Sequence, residues 1–96
     1  MALSKASEIE IELFLEKHTK WSIKKDKLSR EFEFNDFVQA FGFMAQAAII
    51  AESLDHHPDW SNSYNKVKVE LATHDAGGIT SLDFNLASKM DSIAKG

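Results

Sequence analysis

Residues 37–58 read FVQAFGFMAQAAIIAESLDHHP, a long apolar stretch that runs directly into two histidines and a proline. Apolar side chains recur in it at steps of three and four residues, which is the repeat of one face of an α-helix. Phe43, Ile49 and Ile50 lie off that face, so we predict a central helix over residues 37–54 that is buried on two sides. Asn35 is placed to cap it. The predicted apolar stripe consists of Phe37, Ala40, Phe41, Met44, Ala47, Ala48, Ala51 and Leu54.

The proline indicates where this helix ends and how the histidines are presented. Pro58 cannot continue a helix and disfavours helical geometry at His57, so the chain should become extended there. At such a junction the rings of His56 and His57 can both reach one pocket. A third histidine, His74, closes an alternating strand at Thr73. Imidazole, with an unperturbed pKa of about 6.5, exchanges protons near neutral pH, so the three histidines together indicate proton-transfer chemistry.

A first helix is predicted near the start of the chain. Ser7 and Glu10 have the spacing of a capping box, and apolar residues follow at helical spacing, so we expect a helix from about Ser4 to His18. His18 is interpreted as a surface residue at the end of this helix, where it interacts well with the helix dipole. We therefore do not include it in the candidate site.

Two hairpins are predicted, one on each side of the central helix. Residues 21–23 and 28–34 alternate between apolar and polar side chains around a charged turn at residues 24–27, which indicates a hairpin with one wet face. Residues 67–73 form the clearest strand pattern. We expect residues 60–66 to supply its partner, through a turn that the sequence does not specify well.

A third helix completes the predicted fold. After a loop at residues 75–78, Thr80 begins this helix, with Asp83 at its third position. The order of elements is α-β-β-α-β-β-α. We therefore predict a single α+β domain over residues 1–96, in which a four-stranded antiparallel sheet is covered by helices on one face. The apolar face of the last helix consists of Leu82, Leu86, Met90 and Ile93.

The composition limits the classes of function and of assembly. The 96 residues carry 11 Lys and Arg against 15 Asp and Glu, a net charge of −4, so direct nucleic-acid binding is not expected. The chain has no cysteine, which excludes disulfides and thiolate metal sites. Seven Phe, two Trp and one Tyr are many for this length. Part of this bulk is expected on a subunit interface, and we predict an oligomer.

The sequence also predicts a soluble protein that does not enter a membrane. Residues 1–10 lack the apolar core and the cleavage pattern of a signal peptide. The central apolar stretch is interrupted by Gln39, Gln46, Glu52 and Ser53, which makes it too polar for a lipid span. We expect a cytoplasmic location.

Several residues near the histidines allow more than one interpretation. A single histidine at a strand end is more often structural than catalytic, and it is the cluster that favours a site. Three histidines are alternatively a zinc ligand set, although an adjacent pair lacks the i, i+4 spacing of zinc helices. Trp60 and Tyr64 either stack on a flat ligand or belong to the core, and Asp83 either complements the helix dipole or contacts a ligand. Four carboxylates lie close to the histidines in sequence and are candidate hydrogen-bond partners that would fix the tautomers of the rings. They are Glu52, Asp55, Asp59 and Asp75.

Three motifs are specific enough to indicate a family. Residues 52–60 read ESLDHHPDW, residues 64–67 read YNKV, and residues 73–80 read THDAGGIT, with Asp83 following. Together with weaker similarity over residues 30–44, these motifs resemble the pterin-4a-carbinolamine dehydratases over nearly the whole chain apart from its first helix. The resemblance implies a small α+β enzyme that removes water from 4a-hydroxytetrahydropterin. The product would be quinonoid dihydropterin, which a reductase returns to tetrahydropterin.

The resemblance also implies which residues form the site. The three catalytic histidines of the family fall on His56, His57 and His74, and we expect His56 and His74 to exchange protons with the 4a hydroxyl and N5 while His57 holds the pterin. No metal or organic cofactor is implied. Ala72 stands where members often have serine. The residues expected to bind substrate are Asp55, His56, His57, Thr73, His74 and Asp75, and those expected to support the site are Glu52, Pro58, Trp60 and Asp83.

The family resemblance carries expectations about partners as well. Members assemble as homodimers or homotetramers through sheet edges and the long helix, which agrees with the wide apolar surface described above. A pathway link to the aromatic amino acid hydroxylases is implied. Some animal relatives are also dimerisation cofactors of a homeodomain transcription factor. A protein-binding role without essential catalysis is therefore the alternative function.

Overall fold

The computed structural model describes residues 3–95, and its helices and strands follow the predicted order. The α+β fold class is confirmed. No helix within the described residues has the length and apolar character needed to cross a membrane. The helices are α1 (Glu8–Lys17), α2 (Phe37–Ser53) and α3 (Ser81–Lys95). The strands are β1 (Ser22–Lys24), β2 (Lys27–Glu33), β3 (Asp59–Ser63) and β4 (Lys66–Leu71).

The four strands form one antiparallel sheet in the order β1-β2-β4-β3. Because side chains alternate across each strand, the sheet has a buried face, which we call the dry face, and a solvent-exposed face, which we call the wet face. Leu28 lies opposite Leu71 on the dry face, and Glu31 lies opposite Lys68 on the wet face. The helices pack on the dry face, as predicted. Its buried residues are Leu28, Phe32, Val67, Val69 and Leu71.

Both hairpins close with loops of two residues. Lys25 and Asp26 join β1 to β2 at φ angles of 51° and 63°, the type I′ geometry whose twist matches that of paired strands. The second loop, which the sequence left unspecified, is Tyr64 and Asn65, with Tyr64 at a φ of 50°. The Asn62 side-chain amide donates to two carbonyls of this turn at 3.1 and 2.9 Å. A side chain therefore holds the turn that has no glycine.

The rotation of α2 about its axis differs from the predicted one. Phe37 and Phe41, which we placed in the buried stripe, are exposed in this chain, whereas Phe43 is buried. The Phe43 ring packs on Phe32 and Phe34 of the dry face, with centroid separations of 4.5 and 5.1 Å. Aromatic packing and the small alanine side chains thus decide which side of an almost wholly apolar helix meets the sheet. The buried residues of α2 are Ala40, Phe43, Ala47 and Ala51.

The starts of the first two helices need correction. Asp36 rather than Asn35 caps α2, and its carboxylate accepts the N–H of the third helical residue at 2.9 Å. The capping box at Ser7 is confirmed, but for that reason α1 begins at Glu8 rather than near Ser4. The cap, not the first polar residue, sets where the helical hydrogen bonds begin.

α1 has no fully buried residue and is held by a few specific contacts. The Phe14 ring stacks on Phe84 of α3 at a centroid distance of 4.7 Å. His18 is half-buried rather than a free surface residue, because its Nδ1 lies 2.8 Å from Asp91 of α3. The same Asp91 carboxylate accepts hydrogen bonds from Trp21 and Arg30, which ties α1, the first hairpin and α3 together.

Candidate active site

The chain turns sharply after α2. The N–H of Asp55 donates to the carbonyl of Glu52 and that of His56 to the carbonyl of Ala51, each at 3.1 Å, the bond pair of a Schellman motif. Asp55 lies at a φ of 50°, in the left-handed conformation that glycine usually supplies at this position. The turn separates the two adjacent rings, because His56 becomes buried and His57 remains exposed.

A tight loop after β4 presents the third histidine. β4 ends at Leu71, earlier than predicted, and Thr73 forms an isolated bridge with Gly78 instead of continuing the strand. The carbonyl of Thr73 accepts the N–H groups of Ala76 and Gly77 at 3.1 and 3.0 Å. His74, Asp75 and Ala76 form a single 3₁₀ turn between these bonds, so the exposed side chains of His74 and Asp75 start from a compact backbone.

The two turns border one cavity of about 550 Å³. This volume lies within the range of small-molecule sites, roughly 300 to 1,000 Å³. All six residues that the sequence analysis expected to bind substrate line it, so the structure brings the three predicted histidines together. The lining consists of Leu3, Asp55, His56, His57, Ala72, Thr73, His74, Asp75, Ala76 and Leu82.

Asp83 lies behind the cavity and holds His56. The Asp83 carboxylate is fully buried, and its Oδ1 lies 2.5 Å from Nε2 of His56. Its Oδ2 accepts the Thr73 hydroxyl at 2.9 Å and the backbone N–H of Thr80 at 2.8 Å. From its place in the sequence, Asp83 was expected either to complement the helix dipole or to contact a ligand. The structure gives it the first-turn position on α3 and, in addition, a direct bond to an imidazole.

The donor and the acceptor of each hydrogen bond in this network can be assigned. An ionised carboxylate only accepts, so the Thr73 hydroxyl donates to Asp83. The Thr73 oxygen, 2.7 Å from the Thr80 hydroxyl, must then accept from Thr80, whose own oxygen accepts the N–H of Leu82 at 3.2 Å. Thr73 also has its N–H and carbonyl bonded within the loop. Its position in the lining therefore supports Asp83 more than it offers a donor to the cavity.

The same reasoning assigns the tautomers of two histidines. Nε2 of His56 must carry the hydrogen that Asp83 accepts, so in the neutral ring Nδ1 has a free lone pair. Nε2 of His57 lies 2.8 Å from Glu52 and is assigned the same tautomer. The first bond is buried and the second exposed, so the orientation of His56 is held more firmly. His74 makes no side-chain hydrogen bond within the described residues.

The other predicted supporting residues lie outside the cavity lining. Trp60 is half-buried against the core, opposite Val69, which agrees with its interpretation as a core residue. Tyr64 is exposed at the tip of the second hairpin. Pro58 is half-buried and directly precedes β3. Of the predicted supporting residues, Glu52 and Asp83 contact histidines of the site.

The zinc alternative finds no ligand set in the part of the chain that the structure describes. No three His, Asp or Glu side chains of residues 3–95 are arranged to share a metal ion. Within the protein, Nε2 of His56 and Nε2 of His57 face different carboxylates, those of Asp83 and Glu52.

A larger cavity of about 750 Å³ lies elsewhere, beside the ends of α1 and α3. It contains none of the predicted site residues. Its central carboxylate, Asp91, already accepts hydrogen bonds from His18, Trp21 and Arg30. Because these groups bind one another, we interpret them as structural and place the candidate site at the smaller cavity.

Sequence reasoning missed the apolar part of the cavity lining. Leu82 was assigned to the core face of the last helix, and Ala76 to a loop without a role. Leu3 precedes every predicted element and carried no signal, because its place in the lining depends on a contact with a distant loop. These three residues and Ala72 provide the apolar lining around the polar groups.

Comparisons with known proteins identify a family for this chain. Residues 4–93 match the family model described as pterin 4 alpha carbinolamine dehydratase. A relative from Solibacter usitatus is 50% identical over 97% of this chain and 98% of its own length, and one from Prochlorococcus marinus is 48% identical over 88% of each chain. Both carry the provisional name pterin-4-alpha-carbinolamine dehydratase. A crystal structure from Brucella melitensis, described as a transcriptional coactivator/pterin dehydratase, superposes with a TM-score of 0.91 at 47% identity, covering 95% of this chain and 99% of that one.

The left-handed conformation of Asp55 leads to a stability prediction. Asp55→Gly should leave the free energy of unfolding unchanged or raise it by up to about 1 kcal/mol, because glycine adopts this conformation without strain. Asp55→Val should lower it by at least about 1 kcal/mol, since a β-branched residue is strongly disfavoured there. Urea unfolding measures both changes. Equal stability of the two variants would show that the Schellman turn does not constrain this position.

Proposed function

The chain belongs to the pterin-4-alpha-carbinolamine dehydratase family, and on that basis we propose that it converts 4a-hydroxytetrahydropterin to quinonoid dihydropterin. In this reaction the hydroxyl on C4a leaves as water, N5 loses its proton, and a C4a–N5 double bond forms. The net change is the loss of one water molecule, without oxidation or reduction. One group must therefore accept a proton while another donates one.

The observation that carries this proposal is the pairing of His56 with Asp83 at the edge of a cavity that His74 also lines. We assign His56 as the base that takes the N5 proton through Nδ1. The imidazolium that results would be stabilised by the buried carboxylate bonded to its Nε2. Bases held in this way accept a proton in one orientation and need no rearrangement during the reaction.

We assign His74 as the acid that protonates the leaving hydroxyl. Its side chain is exposed and makes no hydrogen bond among the described residues, so water can reach it between turnovers. Two imidazoles with different surroundings are thereby assigned to opposite proton transfers. His57, held by Glu52 at the rim, is assigned to binding the pterin, together with the carboxylates of Asp55 and Asp75. Carboxylates suit the amino and amide N–H groups of a pterin ring.

In a cell, the proposed reaction would belong to tetrahydropterin recycling. A hydroxylase that uses tetrahydropterin to activate oxygen releases the 4a-hydroxy compound, and the quinonoid product requires a reductase. The aromatic amino acid hydroxylases are the class of enzyme that we expect to supply the substrate. The comparisons support a pterin substrate, through the names of the matched family and relatives.

A protein-binding function of the same fold is the second candidate. The described Brucella structure carries the name of a coactivator as well as that of a dehydratase. On α2, the side turned away from the sheet exposes Val38 at 77% and Ile49 at 72%, together with Phe41. Apolar patches of this kind commonly lie at protein interfaces. We propose that this α2 patch joins copies of the chain in a homodimer or homotetramer, and that other partners would bind through the same surface.

Replacing the proposed acid and base should abolish most of the rate enhancement. We expect His56→Ala and His74→Ala each to lower kcat by about 10²- to 10⁴-fold, the usual contribution of one positioned acid or base. The matched control is His18→Gln, which changes a histidine that lies outside the cavity. Stopped-flow dehydration of chemically generated 4a-carbinolamine measures kcat, and circular dichroism checks the fold. Full activity in both alanine variants would reject these roles for the two histidines, whereas a wild type without dehydratase activity would leave the protein-binding function as the better candidate.

Asp83→Asn tests whether the tautomer of His56 matters. The two donors at Oδ2 require the amide oxygen there, which places the amide NH₂ opposite Nε2 of His56 and moves the ring hydrogen to Nδ1. We expect kcat to fall by about 10²- to 10⁴-fold with little change in KM. Nitrogen NMR of the ring should report the tautomer change directly. The control is Asp59→Asn on the exposed edge strand. A switched tautomer with normal kcat would exclude His56 as the base.

A charged substitution tests whether the α2 patch joins copies of the chain. Phe41→Glu should shift the protein to a smaller species in sedimentation velocity, because a desolvated carboxylate in an apolar interface is costly. Ile9→Glu, which adds the same charge at an exposed position of α1, should leave the assembly unchanged. If the wild-type protein sediments as a monomer, the assembly proposal is wrong and the patch would need another partner.

A further inference from the structure

The residues just before α1 run across the loop that presents His74. The N–H of Ala6 donates to the carbonyl of Ile79 at 2.8 Å, immediately before the capping box that starts α1. The capping box fixes the direction of the chain at Ser7, and the bond to Ile79 fixes its position. The segment from Leu3 to Ala6, which we call the N-terminal strap, is therefore anchored at its end nearest to α1.

A side-chain contact joins the middle of the strap to the loop. Gly78 is buried, and a Cβ placed on it would come within 2.9 Å of Cε of Lys5. This distance is shorter than the contacts that real Cβ atoms make, so the aliphatic part of Lys5 lies directly against the Gly78 backbone. The absence of a side chain at Gly78 thus leaves room for the strap. Strap and loop pack together next to the cavity.

The strap brings Leu3 to the cavity. Leu3 lines it together with the three histidines, and its residue surface is 42% exposed. Leu3 and Leu82 are the large aliphatic side chains of the lining, whereas Ala72 and Ala76 are small. A flat ring that approaches the histidines would cover part of the exposed surface of Leu3. Burial of that surface favours binding, and it also removes water from the proton-transfer groups.

We propose that Leu3 is a substrate-contacting residue that packs against the pterin ring and is positioned by the N-terminal strap. The identity of the bound molecule, a pterin, rests on the proposed function. The position of Leu3 rests on the contacts of Ala6 and Lys5. Leu3 has no titratable group, so its contribution lies mainly in binding the ring. Its effect should therefore appear mainly in KM.

The test compares aliphatic residues of similar size inside and outside the cavity. Leu3→Ala should raise KM for the 4a-carbinolamine by about 3- to 10-fold while kcat changes less than about 3-fold, since a partly exposed contact is lost without loss of an acid or base. Leu3→Met should restore most of the affinity, because methionine keeps the apolar volume. Ile9→Ala, on the exposed side of α1, should leave KM unchanged. Urea unfolding of each variant separates binding from stability.

A second measurement keeps this inference separate from the proposed reaction. The Kd of a stable 7,8-dihydropterin is measured by fluorescence for the wild type and for the Leu3→Ala and Leu3→Met variants. An active wild type with unchanged KM and Kd in Leu3→Ala would overturn the contact and leave the dehydratase function intact. An inactive wild type that binds the dihydropterin in a Leu3-dependent manner would overturn the dehydratase function and leave the Leu3 contact intact. A wild type that neither reacts nor binds would overturn both.

Discussion

The buried carboxylate of Asp83 is the constraint on which the candidate site depends. A charge without solvent access is tolerated when donors surround it, and Asp83 has three of them: an imidazole, a hydroxyl and a backbone N–H. These donors come from the turn after α2, the loop that follows β4, and the residue just before α3. One side chain thereby fixes the relative position of the three chain segments that meet at the cavity. The bond that orients the proposed base is part of the bonding that holds the fold together.

α3 carries a second carboxylate of this kind near its other end. Asp91 accepts from His18, Trp21 and Arg30, and so joins α1 and the first hairpin to the same helix. Both carboxylates contact a histidine, but the surroundings differ. The Asp91 group includes a permanent cation, which compensates its charge within the protein. Asp83 has no arginine or lysine partner among the described residues, and its side-chain partners are the His56 imidazole and the Thr73 hydroxyl.

Much of the fold followed from patterns that span a few residues. The capping box at Ser7, the helix that ends before Pro58 and the alternation in β2 and β4 are local features, and the structure has them near their predicted positions. The grouping of the histidines was also predicted, because the family motifs imply it. The rotation of α2 about its axis was not predicted correctly. A helix that is apolar on most of its surface has no local sequence pattern that indicates which side faces the sheet. The side of α2 that faces the sheet depends on the packing of Phe43 against Phe32.

The polar residues of the candidate site were predicted, including Asp83 and Glu52 as supporting residues, but the particular contacts they make were not. The bond between Asp83 and His56, and the place of Leu3, join parts of the chain that are distant in sequence. No spacing rule reports such contacts. The left-handed turn at Asp55 was missed because glycine, its usual signal, is absent. Aspartate is one of the residues that adopt this conformation more readily than most, so the turn forms without glycine.

The wet face of the sheet limits how copies of this protein can be arranged. Glu31 lies opposite Lys68 and Glu33 opposite Lys66, so charges of both signs alternate over the surface of the central strands. Stacking a second sheet on this face would strip water from all of them at once, and their mutual attraction would not compensate. Layered packing of sheet on sheet is thereby disfavoured. Contacts between copies of the chain would instead use the strand edges or the helical side of the molecule.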